Sequence, residues 1–194
     1  IAHDFNNILA SALINISLLK MQNGDDLQGP VIADIETSLQ RSRGLTQQLM
    51  TFTKGAALAK ETSSLAELVR ETTTFVLRGS NVRCDFAIGD DLWPVNIDSM
   101  QVSQVVENLI INAKQAMQEG GQLRIVVENV ELNASTVLPL SPGQYIRCCV
   151  VDTGKGISRE DLGRVFDPYF TTKEEGNGLG LASAFAIISN HDGW

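Results

Sequence analysis

The sequence has few aromatic residues, only two histidines and only three cysteines among its 194 positions. Aromatic residues make up 6% of the chain, so the core of a globular domain must be mainly aliphatic. The cysteines, Cys84, Cys148 and Cys149, form no disulfide framework and no metal-binding spacing. Their pattern is typical of reduced thiols in a cytosolic protein.

Positive charge and long apolar runs are also scarce. The net charge of −8 and the isoelectric point near 4.7 argue against a nucleic-acid-binding protein, which needs a basic stripe. No run of about 18 apolar residues occurs and no signal peptide is visible, so we predict no membrane contact for this stretch. The chain starts without Met and stops after Gly-Trp. We therefore expect it to be a piece of a longer polypeptide.

Two amphipathic segments open the chain. Apolar residues recur every three or four positions through residues 1–22 and again through 30–54, which predicts two helices. The polar stretch 23–29 contains two glycines and predicts the turn of an antiparallel hairpin. A lone hairpin cannot bury its apolar stripe, whereas two copies can form a four-helix bundle. The pattern therefore predicts a homodimer.

The rest of the chain alternates between strand and helix patterns. Residues 55–63 are predicted to be a linker, and 167–178 a mobile loop with several glycines. We predict helices over 65–78, 99–118 and 179–190, a short helix near 158–161, and strands over 82–89, 93–97, 122–132 and 145–152. The predicted fold class is α+β, with a helical hairpin over 1–56 and a two-layer α/β sandwich with a mixed sheet over 57–194.

The predicted helix over 99–118 carries an unusual number of amide side chains. Its polar face consists of Gln101, Gln104, Asn108, Asn112 and Gln115, and its apolar face of Val102, Val105, Val106, Leu109, Ala113 and Ala116. Each Asn costs roughly 0.5–0.7 kcal/mol relative to Ala in a helix, so two of them one turn apart need a reason. A solvated helix face is one reason. Ligation of Mg²⁺, which prefers hard oxygen donors, is the other.

Two glycine-containing segments are candidates for binding a flat, anionic ligand. In VVDTGKGIS, residues 150–158, a strand ends in Asp152, whose carboxylate could accept from an exocyclic amine. The following Gly154 and Gly156 would let the backbone approach a ring closely, although a plain strand-to-helix turn is the simpler explanation. In GNGLGLASA, residues 176–184, alternate glycines lead into a helix whose free amides could bind an anion.

Taken together, the motifs resemble those of sensor histidine kinases. The stretches QVVENLIINAKQAM, VVDTGKGIS, VFDPYFTTK and GNGLGL occur in the order of the N, G1, F and G2 boxes of that family, and IAHDFNNIL resembles its H box. The ATP-binding half is shared with gyrase-, chaperone- and mismatch-repair-type ATPases, whereas the H box and hairpin are not. The family continues into further strands after an HGG-like stretch, so we expect this domain to be truncated at its C-terminus.

In the hairpin, the resemblance implies that His3 is the phosphoacceptor. His3 lies about 200° around the helix from Phe5 in the apolar seam, so it should face outward. Asp4 resembles the acid that orients the imidazole, and Asn7 completes a pattern associated with phosphatase activity toward the phosphorylated partner. The catalytic residues implied are therefore His3, Asp4 and Asn7.

In the second domain, the resemblance implies a site for ATP and Mg²⁺. Asn112 corresponds to the metal ligand, Asn108 to a polar position near the phosphates, and Asp152 to the adenine-binding aspartate. Lys173 is a candidate phosphate contact, with a solvated loop lysine as the alternative. The remaining positions are Gly154 and Gly156 of the G1 box, Gly178 and Gly180 of the G2 box, and Phe166 and Phe170, which should pack beneath the loop.

The activity implied by the resemblance is a phosphoryl relay. ATP would phosphorylate His3, and the phosphoryl group would pass to an aspartate of a response-regulator receiver domain, either separate or fused downstream. Two other functions remain open, an ATPase or chaperone-like module without a histidine acceptor and a non-enzymatic dimerisation scaffold. Loss of acid-labile label in a His3→Gln variant separates the kinase from the first, and nucleotide binding separates it from the second.

Overall fold

The computed structural model describes residues 58–173 and 178–194, and five single helical positions nearer the start of the chain. These five are Ala12, Ile14, Ile16, Ile35 and Leu39. The remainder of the predicted hairpin lies outside the described residues, and so do the predicted bundle and the residues His3, Asp4 and Asn7. The chain divides into two compact units, Ile1–Ala56 and Ala57–Trp194.

The second unit is built on a three-stranded mixed sheet. Its strands are β2 (Val82–Ile88), β4 (Gly121–Leu132) and β5 (Gly143–Asp152), in the order β2-β4-β5. Strand β4 is parallel to β2 and antiparallel to β5, and its register places Leu123 opposite Asp152. Two short strands, β1 (Glu61–Ser63) and β3 (Val95–Ile97), form a separate antiparallel pair.

Three helices accompany the sheet, and side-chain caps start the first two. Helix α1 (Leu65–Val76) follows Ser64, whose Oγ accepts from the Glu67 N–H at 3.4 Å. Helix α2 (Ser99–Ala116) follows Asp98, whose Oδ1 accepts from the Gln101 N–H at 3.1 Å. In both helices a side-chain oxygen therefore satisfies a backbone N–H of the first turn. Helix α3 (Gly180–Asn190) begins without a side-chain cap, and a single 3₁₀ turn covers Leu162–Arg164.

The main core lies between one face of the sheet and helices α1 and α2. Alternate residues of β4, namely Leu123, Ile125 and Val127, are fully buried, as period-2 patterning predicts. They form one cluster with Val69, Val82, Val106, Ile110, Ala113 and Met117. A smaller cluster of Val105, Ala184 and Ile187 joins α2 to α3. Because α2 belongs to both clusters, its polar face has a fixed position relative to α3 and the sheet.

Several sequence expectations need correction. The predicted linker 55–63 contains strand β1, which exists because Val95–Ile97 offers it a hydrogen-bonding partner. On α2, Ile110 is fully buried and belongs to the apolar face, whereas Leu109 and Ala116 are only partly buried. Helices α1 and α2 each end two residues earlier than predicted. Among the described residues, no helix is both long and apolar enough to cross a membrane.

Candidate functional site

Backbone hydrogen bonds hold the end of strand β5 and the glycine loop after it against helix α2 and strand β4. Asp152 closes the strand, and its Oδ1 accepts from the Gly154 N–H at 2.8 Å. The Lys155 N–H donates to the Ala116 carbonyl at 3.4 Å, and the Thr153 N–H to the Gln122 carbonyl at 3.2 Å. The Asp152 carboxylate is therefore held in place by its own loop while the residue stays exposed to solvent.

The two glycines of this loop are needed for different reasons. A Cβ on Gly154 would lie 2.6 Å from the Ala116 Cβ and 2.9 Å from the Ala116 carbonyl oxygen, so only glycine fits against the end of α2. Gly156 has open space around it but a φ of +70°, a backbone region that side chains disfavour. The first glycine permits close packing, and the second permits the turn.

The polar face of α2 carries three amide side chains that make specific contacts. Asn108 donates from Nδ2 to the Gly180 carbonyl at 3.1 Å, which ties α2 to the first residue of α3. Asn112 Oδ1 and Gln115 Oε1 both accept from the Lys173 ammonium, at 2.7 and 2.6 Å. Because an ammonium group can only donate, it must face the oxygen of each amide. Two amides of this face therefore contact a lysine of the same domain, and ligation of Mg²⁺ by Asn112 stays a prediction.

Lys173 is an electrostatically uncompensated cation within the described part of the chain. Its only side-chain acceptors there are two neutral amides, and it forms no ion pair with a described carboxylate. Burial, with a contribution from nearby Lys155, lowers the pKa of Lys173 from its ordinary value. Such a cation is attracted to any anion that approaches α2.

The segment that carries Lys173 is closed at its base by a backbone contact. The Tyr169 N–H donates to the Gly178 carbonyl at 3.0 Å, and both residues have positive φ, 67° and 65°. A Cβ on Gly178 would collide with the Tyr169 backbone, so this glycine is required by both space and conformation. Residues 174–177, near the C-terminal end of the predicted mobile loop, lie outside the described residues.

Helix α3 starts directly after this closure. Gly180 is its first residue, and the Ser183 N–H already donates to the Leu179 carbonyl at 2.8 Å, so only the amides before Ser183 precede the helical hydrogen bonds. The start of the helix is packed tightly, with Leu179 1%, Ala182 3% and Ser183 0% exposed. An anion placed there would meet backbone N–H groups and the positive end of the helix dipole.

The two predicted F-box aromatics pack on neighbouring groups away from these polar contacts. The Phe166 ring lies 5.4 Å from the Phe185 ring of α3, and Phe185 in turn meets Trp194 edge-on at 5.5 Å. The Phe170 ring lies under the Arg164 guanidinium, whose Cζ is 4.4 Å from the ring centroid. Phe166 is 54% exposed, and packing of the two rings beneath the loop stays a prediction.

The structure therefore places the predicted nucleotide-site residues at one side of α2. Asn112 and Lys173 touch, Asn108 touches Gly180, and the Gly154 loop rests on the end of α2. Sequence reasoning had put Gln115 on the polar face without a role, although its spacing of three residues from Asn112 was a signal that both share one side of the helix.

Residues 97–194 match the family of histidine kinase-, DNA gyrase B- and HSP90-like ATPases, and the chain belongs to this family. Its curated relatives include the sensor kinase CckA of Brucella abortus (strain 2308), which is 35% identical over 202 residues. The signal transduction histidine-protein kinase AtoS of Escherichia coli (strain K12) is 30% identical over 196 residues. Both alignments cover 100% of this chain but only 21% and 30% of the respective relatives. The chain thus spans a fifth to a third of their length.

Solved structures agree with the fold. Full-length ShkA in complex with AMPPNP superposes with a TM-score of 0.74 at 18% identity, covering 97% of this chain and 39% of ShkA. The histidine kinase ThkA in complex with the response regulator TrrA gives a TM-score of 0.62 at 25% identity, covering 99% of this chain and 53% of ThkA. The second unit is therefore an α+β domain of the ATPase type found in histidine kinases.

Proposed function

We propose that the chain is the catalytic part of a protein histidine kinase, which binds ATP with Mg²⁺ and transfers the γ-phosphoryl group to His3. The observation that carries the proposal is the convergence of two amide oxygens of α2 on a cation beside the glycine-led start of α3. In a chain of this ATPase family, that arrangement suits a nucleotide's phosphates and their counter-ion.

The nucleotide would be held mostly by backbone and by a few polar side chains. Asp152 would accept from the adenine amine while Gly154 keeps the loop backbone close to the ring. The α3 start, with Gly178 and Gly180, would supply amides to the phosphates, and Lys173 would supply a positive charge. This division fits a chain with a net charge of −8.

The residues present fit a magnesium ion. Asn112 Oδ1 already faces a cation, and a neutral amide oxygen is a hard donor of the kind Mg²⁺ prefers. No group of three or more described His, Cys, Asp or Glu residues could hold a metal, so most of the negative charge must come from the phosphates. A magnesium ion bound there would neutralise charge on the transferred phosphoryl group.

The proposed acceptor is His3, because the resemblance of IAHDFNNIL to an H box implies that role. The chain has two histidines, and in His191 both ring nitrogens are engaged with backbone. The His191 Nε2 accepts from the Asp98 N–H at 3.0 Å, and its Nδ1–H donates to the Ile187 carbonyl at 2.8 Å. A nitrogen without a free lone pair cannot attack phosphorus. His191 is therefore unsuited to the role, and we propose His3 as the nucleophile, with Asp4 orienting it.

The wider role is proposed from the relatives. ThkA was solved with a response regulator, so we propose that this chain passes its phosphoryl group to a receiver-domain aspartate, the receiver being separate or fused downstream. We also propose the homodimeric four-helix bundle over the hairpin and phosphatase activity through Asn7. We also propose that the protein acts in the cytoplasm, because the proposed kinase activity would use ATP and because its three cysteines are free thiols.

A second candidate function is ATP hydrolysis, because the matched family includes gyrase- and HSP90-like ATPases. Incubation with Mg²⁺ and γ-labelled ATP decides between the two. We expect acid-labile, alkali-stable label on the wild type and none on His3→Gln, with unchanged nucleotide binding. Label retained by His3→Gln, or phosphate release without label, would contradict the kinase.

A further inference from the structure

The contact between Lys173 and helix α2 is placed where the proposed metal would bind. The ammonium lies between Asn112 Oδ1 and Gln115 Oε1, at 2.7 and 2.6 Å, and these two residues are one turn apart on α2. Both distances are short for charge-assisted hydrogen bonds, so both oxygens are directed at the same positive group. We call the three side chains Lys173, Asn112 and Gln115 the amide clasp.

In the amide clasp, the proposed metal ligand Asn112 accepts a hydrogen bond from Lys173. While Asn112 Oδ1 accepts from Lys173, the same lone pair is not available to a metal ion. Gln115 contributes the second acceptor, and without it the ammonium would keep one described side-chain partner. Lys173 is only partly buried, and these two oxygens are the described side-chain acceptors of its ammonium group.

We propose that Gln115 is a positioning residue that holds the Lys173 ammonium over Asn112 in the nucleotide-free protein, so that Mg²⁺–nucleotide must displace it to bind. The displaced ammonium is then free to approach the phosphates. This inference rests on the proposed function, since it assumes that Asn112 serves the metal. In this proposal Gln115 binds the Lys173 ammonium and is not a ligand of the metal.

Competition of this kind has a measurable consequence. A contact made only in the unliganded state lowers the apparent affinity of the ligand that must break it. Removing one acceptor of a partly exposed, charge-assisted hydrogen bond should therefore tighten Mg²⁺–ADP binding by about three- to tenfold. A metal ligand would behave in the opposite way, because its removal weakens binding.

The decisive measurement is a double-mutant cycle on the affinity of the 1–194 chain for fluorescent Mg²⁺–ADP. We expect Gln115→Leu to tighten binding in the wild type and to change it less than about twofold in a Lys173→Met background. Gln104→Leu, the same change earlier on α2, should have no effect in either background. Weaker or unchanged binding in Gln115→Leu, or an equal effect in both backgrounds, overturns the proposal.

A second measurement needs no nucleotide and separates this inference from the proposed function. In the ligand-free protein, a held ammonium exchanges its protons slowly, so Lys173 should give a side-chain NH₃⁺ signal in ¹H–¹⁵N NMR spectra at low temperature. The signal should vanish in Lys173→Met and broaden in Gln115→Leu, and Lys114→Met on the same helix should leave it intact. An unchanged signal in Gln115→Leu refutes the amide clasp, whereas failure of the wild type to bind Mg²⁺–ADP refutes the proposed function.

Discussion

Replacing Gly154 with alanine tests whether close packing of the glycine loop on α2 positions the nucleotide site. The new Cβ would lie 2.6 Å from the Ala116 Cβ, 2.9 Å from the Ala116 carbonyl oxygen and 2.8 Å from Asp152 Oδ1. Carbon atoms pack best at about 3.5–4.0 Å, so the first contact is roughly 1 Å too short. The loop must therefore lift from the end of α2.

The cost of this lift can be worked from the contacts that it breaks. Overpacking by one methyl group typically costs about 1–3 kcal/mol, and the Lys155 N–H to Ala116 carbonyl bond is lost as well. The Asp152 Oδ1, which accepts from the Gly154 N–H, moves with the loop. We expect about 2 kcal/mol lower stability and at least about tenfold weaker nucleotide binding.

The assay is urea unfolding followed by tryptophan fluorescence, together with fluorescent-nucleotide binding. Both tryptophans of the chain, Trp93 and Trp194, lie in the second unit, so the signal reports that unit. Gly163→Ala is the matched control, because a Cβ there meets nothing within 4 Å and should change stability by less than about 0.5 kcal/mol. Stability and nucleotide affinity of Gly154→Ala equal to those of the control would refute the packing argument.

Three further outcomes follow from other parts of the second unit. Asp152→Asn should weaken nucleotide binding by about tenfold or more, through loss of a charged acceptor, with little change in melting temperature because the residue is exposed. His191→Leu should lower the free energy of unfolding by about 1–3 kcal/mol, because the Asp98 N–H loses its acceptor. Burial, with a contribution from Asp85, raises the pKa of Cys84 above its ordinary 9.0, so the unfolded chain ionises first. Stability from this thiol should be complete below pH 9 and fall as pH rises further.

Each of these outcomes has a direct check. Equal nucleotide affinity in Asp152→Asn would remove the adenine assignment. For His191, the control variant is Asp192→Asn. The Asp192 side chain is 90% exposed in its ion pair with Lys60, so its loss should lower the free energy of unfolding by less than about 0.5 kcal/mol. For Cys84, a Cys84→Val variant should show a smaller loss of unfolding free energy between pH 8 and pH 10 than the wild type, and an identical loss would contradict the sign.

The sequence predicted the elements whose causes are local. Ser64 and Asp98 are recognisable caps because the donor that each satisfies is three residues away. A strand was predicted over 122–132, and its buried face of Leu123, Ile125 and Val127 was seen only in the structure. Strand β1 was missed because its three residues carry no pattern, and it exists only by pairing with β3.

The sequence by itself predicted the first residues of helices α1 and α2, strands close to β2, β4 and β5, and the polar face of α2. Only the tertiary structure decided that Lys173, 58 residues from Gln115, meets it on α2, and that Gly154 must make room for Ala116. The physical reason is how far apart in the sequence the interacting residues lie. Caps, turns and periodic patterns depend on neighbours in the chain, whereas the amide clasp and the glycine packing depend on how distant elements lie against one another.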